Sequence, residues 1–590
     1  MRRLLCLALL AALSPALAEE PAIGARVAPF TAVDVRYLPC SLDDLGEPGI
    51  TALVFATRKC PIALRALPKL RRLAGDYAER GVRFVFVDVT PDPDVNAMAA
   101  FALEHELPFP ALKDAWGEAA RAVGATRSPE VAVLDAERVL RYRGRVDDQL
   151  RLGGTRAEPT RRDLVEALDE LLAGQPVSVP ETPVDGCKLS GPARPSPHDR
   201  VPTWNGEVAA LVQRHCQDCH REGGSAPFAL TRYEDARDTG DMLAEVVEQG
   251  RMPPWFAVEG PEQFSNHRGL DAAQRATLVA WVQGGMPRGE GEPPAPRAFP
   301  KQEWAIKAPD LVLAQPGETA VVAEGSMPYQ YVMLPHRFEH DTWVEAIEIQ
   351  NAVPEVLHHC NLFFLRPGKA FDSSQVIAGK VPGGPPLQLG FGVATLIPKG
   401  SLLGLQIHYQ PNGTAVQDSV RVGFRFPRGR VHRRFYSTLI ERRDFEVPAG
   451  ANHHRVDAET TLEHPALLIA LFGHMHLRGK AFSFDLQLEG GEPERLLTVP
   501  NYSFDWQMAY VLRQPRFVPA GARIRCSTYY DNSPLNGYNP DPSRPVGWGL
   551  QSQKEMLYHF VFYLRPDEDL DLAVDPATGA PQAPEDPAKK

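Results

Sequence analysis

Short alternating segments fill the second half of the chain, and they restrict its fold more than any other feature. Segments such as "TWVEAIEIQ", "SLLGLQIHYQ" and "AFSFDLQL" are separated by turns rich in glycine and proline. Alternation of apolar and polar residues predicts half-buried strands, and many short strands joined by such turns predict β-sandwiches. The length of this region allows two all-β sandwiches, which we place at residues 305–440 and 441–566.

The N-terminal part of the chain has a different order of elements. Apolar runs "ITALVFAT" and "VRFVFVDVT" predict buried strands, and an amphipathic helix lies between them. A second helix, the hairpin "VAVLDAERVLRYRGRV" and a closing helix follow. Strand–helix–strand order with a late hairpin predicts a three-layer α/β domain at residues 22–175.

This domain carries a cysteine in a reactive position. In "FATRKCP", Thr57 and Cys60 form a T-x-x-C pattern after a strand and at the start of a helix, where the helix N-terminus favours the thiolate. With Ser128-Pro129 before a later strand, the segment resembles thioredoxin-like proteins, in particular the peroxiredoxin or redoxin branch. The resemblance implies a single reactive thiol at Cys60, with Cys187 or Cys40 as its resolving partner.

Two departures qualify that resemblance. Position 63 is alanine, so the C-x-x-C pair of disulfide oxidoreductases is absent, and the proline that opens a peroxiredoxin active-site loop is also missing. The alternative is therefore that Cys60 is a partly buried structural thiol.

Residues 200–290 contain "RHCQDCHREGG", a C-x-x-C-H motif. Cys216 and Cys219 lie one helical turn apart, so both thiols can add to haem vinyl groups while His220 reaches the iron. No second C-x-x-C or H-x-x-x-H lies nearby for zinc. The motif predicts one covalently bound haem c, and the segment resembles a small all-α class I cytochrome c domain with Met252 as the axial ligand. Three weaker candidates for that ligand are Met242, Met286 and His267.

Histidines also fall inside apolar strands of the β region. In "FGHMHLRGK", strand alternation puts His474 and His476 on one face and Met475 on the other, in the core. The adjacent His358 and His359 can share a metal ion only at a strand end or bend. Scattered solvated histidines are the alternative, but they would not explain two pairs within apolar strands, so we predict metal binding.

The motifs "LHHCNLFF", "LQIHYQPNG" and "GHMHLRGK" resemble the copper type II, ascorbate-dependent monooxygenases, which include peptidylglycine α-hydroxylating and dopamine β-monooxygenases. Their core is two jelly-roll-like sandwiches, each holding one copper ion. The resemblance implies a first copper site formed by His358, His359 and His408. It implies a second site formed by His474, His476 and a methionine, either Met556 or Met508. Imidazole and thioether ligands suit copper that cycles between two oxidation states. With only Cys360 and Cys526 in this region, the animal enzymes' disulfides have no counterpart beyond one bridge.

Taken together, these segments predict a dicopper monooxygenase that inserts oxygen from O2 into a C–H bond of a small-molecule or peptide substrate. Electrons would come from an ascorbate-like reductant or a redox protein, relayed by the haem. A thiol peroxidase using Cys60 and a non-enzymatic copper-binding electron-relay protein are the alternatives. The formal charge of −11 argues against nucleic-acid binding.

The ends of the chain and two internal stretches predict no packed structure. Residues 1–18 resemble a secretory signal, with Arg2 and Arg3 before a short apolar run and Ala16-Leu17-Ala18 at its end. That run is too short to span a bilayer, so we expect a periplasmic or secreted protein without a membrane span in the mature chain. Proline-rich linkers are expected at 176–199 and 291–304, and a disordered tail at 567–590.

Overall fold

A computed structural model describes residues 21–45, 49–151, 154–190, 200–224, 226–260, 262–299, 304–365, 375–381, 384–390 and 392–582. The expected signal at 1–18 and the last eight residues lie outside these ranges. Within them, no helix is both long enough and apolar enough to cross a membrane.

The N-terminal domain is a seven-stranded sheet flanked by helices, as its element order predicts. The sheet order is β2-β1-β5-β4-β3-β7-β8, with parallel pairing among β3, β4 and β5. The interior strand β3 is buried on both faces, which explains its continuous apolar run. The strands are β1 (Thr31–Asp34), β2 (Pro39–Ser41), β3 (Ile50–Ala56), β4 (Val82–Asp88), β5 (Ala111–Lys113), β6 (Arg127–Ser128), β7 (Glu130–Leu134), β8 (Leu140–Gly144), β9 (Leu150–Arg151), β10 (Gly154–Thr155) and β11 (Cys187–Lys188). The helices are α1 (Pro61–Ala78), α2 (Val95–Glu104), α3 (Glu118–Val123) and α4 (Asp163–Leu172).

Residues 176–190, expected to be part of a free linker, instead pack on this domain, and we call them the strap. The Thr182 amide donates to Arg143 O at 3.1 Å, and its hydroxyl lies 2.7 Å from the Tyr142 hydroxyl. Further along, β11 pairs with β6 and places Cys187 opposite Ser128. Proline-rich composition reports the absence of a hydrophobic period, and main-chain pairing needs no such period; residues 191–199 of the expected linker lie outside the described ranges.

Short helices follow between residues 200 and 290. They are a π-helical turn (Trp204–Val208), α5 (Ala209–His215), α6 (Tyr233–Asp238), α7 (Gly240–Glu248) and α8 (Ala272–Gln283). Their apolar side chains meet around the fully buried Trp281, whose ring lies 5.9 Å from that of Trp204. That this helical segment is a cytochrome c domain stays a prediction.

The rest of the chain is all-β, which confirms the expectation of a large all-β C-terminal region. The first part has strands β12 (Leu311–Ala314), β13 (Thr319–Val321), β14 (Gln330–Arg337), β15 (Thr342–Val344), β16 (Ala346–Asn351), β17 (Leu357–Leu365), β18 (Val376–Lys380), β19 (Leu387–Gln388), β20 (Val393–Ile397), β21 (Leu402–Tyr409), β22 (Val416–Asp418), β23 (Val420–Arg425) and β24 (Arg433–Arg434). A 3₁₀ turn (Pro354–Val356) precedes β17. Its two four-stranded sheets are β12-β23-β16-β19 and β14-β21-β17-β18.

The second part repeats that arrangement of two four-stranded sheets. Its strands are β25 (Tyr436–Arg442), β26 (Glu446–Val447), β27 (His454–Thr461), β28 (Ala466–His474), β29 (Gly479–Gln487), β30 (Glu494–Val499), β31 (Tyr510–Val518), β32 (Arg523–Tyr530), β33 (Val546–Gly547) and β34 (Leu557–Leu564). The sheets are β25-β34-β28-β31 and β27-β32-β29-β30. Residues 567–582, expected to be disordered, are also described: Leu572 pairs with Val431, and Val574 is buried. The expectation of disorder rested on the acidic, proline-rich composition of the tail, in which these few apolar residues do not stand out.

The N-terminal domain and the helical segment both pack on the second sandwich. Arg36 forms a buried ion pair with Asp531 at 3.0 Å, and Asn501 donates to the Tyr37 hydroxyl at 2.8 Å. From the helical segment, Trp255 packs edge-on against Tyr510, with ring centroids 5.1 Å apart. A single apolar core therefore runs through all three parts.

Candidate metal and thiol sites

Five histidines converge where the two sandwiches meet. His358 and His359 begin β17, and His408 lies opposite His359 near the end of β21. A register shift between Leu357 and His359 interrupts the regular pairing of β17. That irregularity lets two consecutive residues face one pocket, which a regular strand forbids. From the second sandwich come His474 and His476, at the end of β28 and in the turn after it.

The first three histidines, His358, His359 and His408, have the geometry of a metal site. One imidazole nitrogen from each lies within 4.8 Å of the others. The Nδ1 atoms of His358 and His359 are 3.0 Å apart, as two ligands of one ion would be when each bond is about 2.0 Å long. His408 Nδ1 is buried with no hydrogen-bond partner among the described residues, while His358 Nε2, on the far side of its ring from Nδ1, lies 3.6 Å from an Asp505 carboxylate oxygen. Leaving buried nitrogens unpaired is costly, so this set fits a bound cation.

In the second set, hydrogen bonds fix the orientation of both rings. His476 Nδ1–H donates to the Lys554 carbonyl at 3.1 Å, and His474 Nδ1–H donates to Gln507 Oε1 at 2.6 Å. The Gln507 amide is oriented by its own donation to Phe504 O at 2.9 Å. Both rings therefore keep an unprotonated Nε2, and that of His476 is buried without a partner.

Met556 lies just before β34 and packs with Tyr558 and Phe560. His474 pairs with Tyr558 across β28 and β34, so continued alternation would turn Met556 to the face of the sheet that carries His474. Met556 is 6% exposed. The alternative ligand Met508 packs in the apolar core, as does Met475, which strand alternation places there.

Burial keeps four of these imidazoles neutral, those of His359, His408, His474 and His476. Burial lowers the pKa of His474 to about 4 and that of His408 to about 3, with neighbouring histidines adding to the shift for both groups. The same causes hold the pKa values of His359 and His476 well below their usual range. At neutral pH these four rings carry no proton that a metal ion would have to displace.

Two supporting residues were missed by the sequence analysis. The buried Glu555 carboxylate accepts the backbone N–H groups of His476 at 3.0 Å and Arg478 at 2.7 Å. It thereby ties the turn that carries His476 to the start of β34, beside Met556. Gln507, described above, is the other. Their only sequence signal is adjacency to Met556 and Met508.

The N-terminal domain brings two thiols together. Cys60 occupies the N-cap position of α1 and is 1% exposed, and its thiol donates to Ser128 O at 3.0 Å. Because β11 pairs with β6 at Ser128, the strap places the Cys187 thiol within hydrogen-bonding distance of Cys60. Burial acts to raise the pKa of Cys60, but hydrogen bonds from Cys187 and from the Ala63 amide outweigh it and lower that pKa. The same contact raises the pKa of Cys187.

The other candidate partner, Cys40, is not brought to Cys60. Cys40 packs with Leu53 and Phe55 on one face of the sheet, whereas Cys60 packs on the opposite face with Ala52 and Val54. Burial raises the pKa of Cys40 to about 12, as expected for an inert structural thiol.

The C-x-x-C-H residues lie at the end of α5 and in the turns that follow it. The Cys216 side chain packs against the helical core, and His220 Nδ1 lies 3.1 Å from Phe228 O. Since a carbonyl only accepts, Nδ1 is the protonated nitrogen and Nε2 is left as the ligand atom, which fits an axial ligand of haem. Met252 follows α7 in a half-buried loop. Of the weaker candidates, Met242 is exposed, Met286 packs against Gly240, and the His267 ring lies 4.8 Å from Trp255.

Comparison with known proteins bears on the thiol site. Residues 23–143 match the model of the AhpC/TSA family. The N-terminal domain is a redoxin domain. It is thioredoxin-like, and its Ser128–Pro129 peptide bond is cis. The redoxin match indicates an oxidoreductase in general terms.

Three solved structures that are similar to the chain each cover 30% of it or less. A hypothetical protein from Sinorhizobium meliloti 1021 is 29% identical over 29% of this chain and 96% of its own, with a TM-score of 0.27. An uncharacterized conserved protein from Geobacillus kaustophilus is 30% identical over 30% of this chain and 95% of its own, with a TM-score of 0.27. Peroxidoxin BcpB from Mycobacterium tuberculosis is 24% identical over 26% of this chain and 94% of its own, with a TM-score of 0.20. No curated protein matches the chain.

Proposed function

We propose that this chain is a copper-dependent monooxygenase of the periplasm or the extracellular space. The observation that carries the proposal is the buried five-histidine pocket, in which His408 Nδ1 and His476 Nε2 find no hydrogen-bond partner within the part of the chain that the structure describes. His358, His359 and His408 would hold one copper ion, and His474, His476 and Met556 the other. Bound copper would supply one-electron transfer and the reduction of O2.

The chain's own residues prepare this pocket. Gln507 and the Lys554 carbonyl fix the rings of His474 and His476 before any ion arrives, so binding costs little reorganisation. Burial lowers the pKa values of these rings and keeps them neutral at neutral pH, with Nε2 free of a proton. The packing of Tyr329 against His359 and His408 excludes water from one side.

The overall reaction balances with two electrons. One oxygen atom of O2 enters a C–H bond of a small-molecule or peptide substrate, and the other leaves as water with two protons. An ascorbate-like reductant or a redox protein would supply the electrons. The C-x-x-C-H segment would hold one haem c through Cys216, Cys219, His220 and Met252, and would pass those electrons on.

Metal and haem analysis of the purified full chain, followed by rapid mixing of its reduced form with O2, tests this proposal. We expect close to two copper ions and one haem per chain, and haem oxidation that requires copper. Zinc in place of copper, or a single metal ion per chain, would contradict it. Copper bound without O2 consumption under any reductant would identify an electron-relay protein instead.

The redoxin domain supports a second candidate, a thiol peroxidase, because the strap holds Cys187 against Cys60. In this reaction the Cys60 thiolate attacks a peroxide O–O bond, giving a sulfenic acid and an alcohol or water. The Cys187 thiol then condenses with it, releasing water and forming a disulfide that an external dithiol must reduce. Peroxide turnover abolished in Cys60→Ser but retained in Cys40→Ser would support this candidate. Turnover that survives Cys60→Ser would refute it.

A further inference from the structure

A small cavity lies between the redoxin domain and the second sandwich, outside the metal and thiol sites described above. Its volume is about 40 Å³. A water molecule needs about 10–15 Å³ of such space, so the cavity has room for about three, or for one ligand of about three or four non-hydrogen atoms. Apolar side chains of the redoxin domain form much of its wall, and charged or polar side chains reach it from both domains: Arg36 from the first, and His453, Lys480 and Asp531 from the second.

Donor groups in this cavity lack partners. Arg36 Nη1 pairs with Asp531 at 3.0 Å, but Arg36 Nη2 finds no hydrogen-bond partner among the described residues, although only 7% of the side chain is exposed. Both ring nitrogens of His453 are likewise buried with no partner in that part of the chain. Lys480 Nζ donates to Asn452 O at 2.8 Å and, as an ammonium, has further N–H groups to donate. Leaving buried polar groups unpaired is costly, so this arrangement indicates a ligand.

The acidic groups of the cavity, in contrast, have partners. Asp531 Oδ2 accepts from Arg36, and its Oδ1 accepts from the amide and the hydroxyl of Ser533 at 3.0 and 2.6 Å. Asp34 Oδ1 accepts from the amides of Arg36 and Leu38, both at 2.8 Å. The cavity therefore has a surplus of donors. A water molecule brings as many donors as acceptors and cannot offset that surplus, whereas an anion brings acceptors and a compensating charge.

The protonation states of the two basic groups from the second sandwich also fit an anion. Burial lowers the pKa of Lys480 to about 8, so the ammonium keeps its charge at pH 7. Burial, with Lys480 nearby, lowers the pKa of His453 to about 3, so this ring is neutral and has one N–H group and one bare nitrogen. The ring packs on Tyr529 with centroids 4.8 Å apart, which holds it in place.

We propose that this cavity binds a small oxyanion with a carboxylate group, of the size of formate, acetate or bicarbonate. Arg36, His453 and Lys480 would hold it, since guanidinium and ammonium groups form strong charge-assisted hydrogen bonds with carboxylate oxygens. The anion would bridge two domains, because Arg36 belongs to the redoxin domain and the other two residues belong to the second sandwich. The inference goes beyond the proposed function and does not depend on copper or haem.

Thermal unfolding of the full-length chain in rising concentrations of formate, acetate or bicarbonate tests this inference. The pH is kept constant, and sodium chloride keeps the ionic strength constant. We expect the unfolding midpoint to rise by a few degrees and then to level off, because a ligand that binds only the folded chain stabilises it until the site is full. Benzoate carries the same charged group but exceeds the size of the cavity, so it should have no such effect.

Two variants separate binding at this cavity from a general effect of salts. His453→Phe keeps a ring against Tyr529 and removes both nitrogens, and Lys480→Met keeps the aliphatic stem and removes the ammonium. Both variants should lose the saturable rise. His453→Phe should also unfold at a higher temperature than the unaltered chain when no oxyanion is present, because it no longer buries unpaired nitrogens.

Three results would overturn the inference. The absence of a saturable rise in the unaltered chain would mean that the cavity holds water only. A rise that persists in full in either variant would place binding elsewhere. An equal rise with benzoate would show that this cavity does not select the anion.

Discussion

Replacing Cys187 with alanine should raise the pKa of the Cys60 thiol. The substitution removes the hydrogen bond that does most to lower this pKa, while the burial that raises it stays. A hydrogen bond to a charged group contributes about 1.5–3 kcal/mol, and a thiol, as a weak donor, belongs at the lower end. Since one pKa unit corresponds to about 1.4 kcal/mol, we expect a rise of about one unit.

The rise should be visible as slower alkylation. At a pH below both pKa values, a shift of one unit lowers the thiolate fraction about tenfold, and the rate of reaction with iodoacetamide falls with it. The pH profile of Cys60 labelling, followed by mass spectrometry of its peptide, should move to higher pH. Background from Cys40, Cys360 and Cys526 should be small, because burial raises the pKa of all three.

Two control variants test whether the hydrogen bond from Cys187 is the cause of the shift in the pKa of Cys60. Cys187→Ser keeps a hydroxyl donor at the same place and should retain most of the low pKa of Cys60. Cys40→Ala alters a thiol on the other face of the sheet and should leave the profile unchanged. An unchanged profile in Cys187→Ala, or an equal shift in Cys40→Ala, would show that the strap contact does not set the pKa of Cys60.

Three further predictions concern positions that the structure ties to the sites or to their support. Met556→Ala should weaken Cu(I) binding at least tenfold in competition titrations and leave any haem spectrum alone, whereas the same effect from Met508→Ala would reassign the ligand. Gly186→Ala places a Cβ 2.3 Å from Ser128 O, so the strap must retreat; the yield of a Cys60–Cys187 disulfide under mild oxidation, measured by mass, should fall several-fold, and an unchanged yield would contradict this. Arg36→Ala leaves Asp531 buried without its cation and should cost about 3 kcal/mol in urea unfolding, with partial recovery when Asp531→Ala is added.

Local periodicity predicted those features that depend on a single strand or helix, namely the type of the element and the direction of its side chains. Strand alternation predicted Met475 in the core and His474 beside His476. Met475 is buried and the two rings lie 5.2 Å apart, although β28 ends at His474 and the next two residues follow the strand. The order of elements likewise predicted the α/β domain, since an apolar run indicates a buried strand and an amphipathic segment indicates a helix packed on one face.

Contacts between distant segments could not be predicted in this way. Cys60 meets Cys187 only because β11 pairs with β6, and no pattern within either segment specifies that pairing. The distance between His359 and His474 depends on how the two sandwiches pack, whereas alternation gives only the face on which each ring lies. The bend that lets His358 and His359 face one pocket is a register shift, which composition does not reveal.

The continuous core has a consequence for how the chain can be divided. Phe264 is fully buried between Trp255 and Tyr510, and the redoxin domain closes another side of the same second sandwich through Tyr37 and Asn501. A fragment containing only the sandwiches would expose that apolar surface to water and invite aggregation. The parts that bear the thiol, haem and histidine motifs should therefore be expressed and purified together. Truncation at a boundary between them would expose apolar surface that the full-length chain buries.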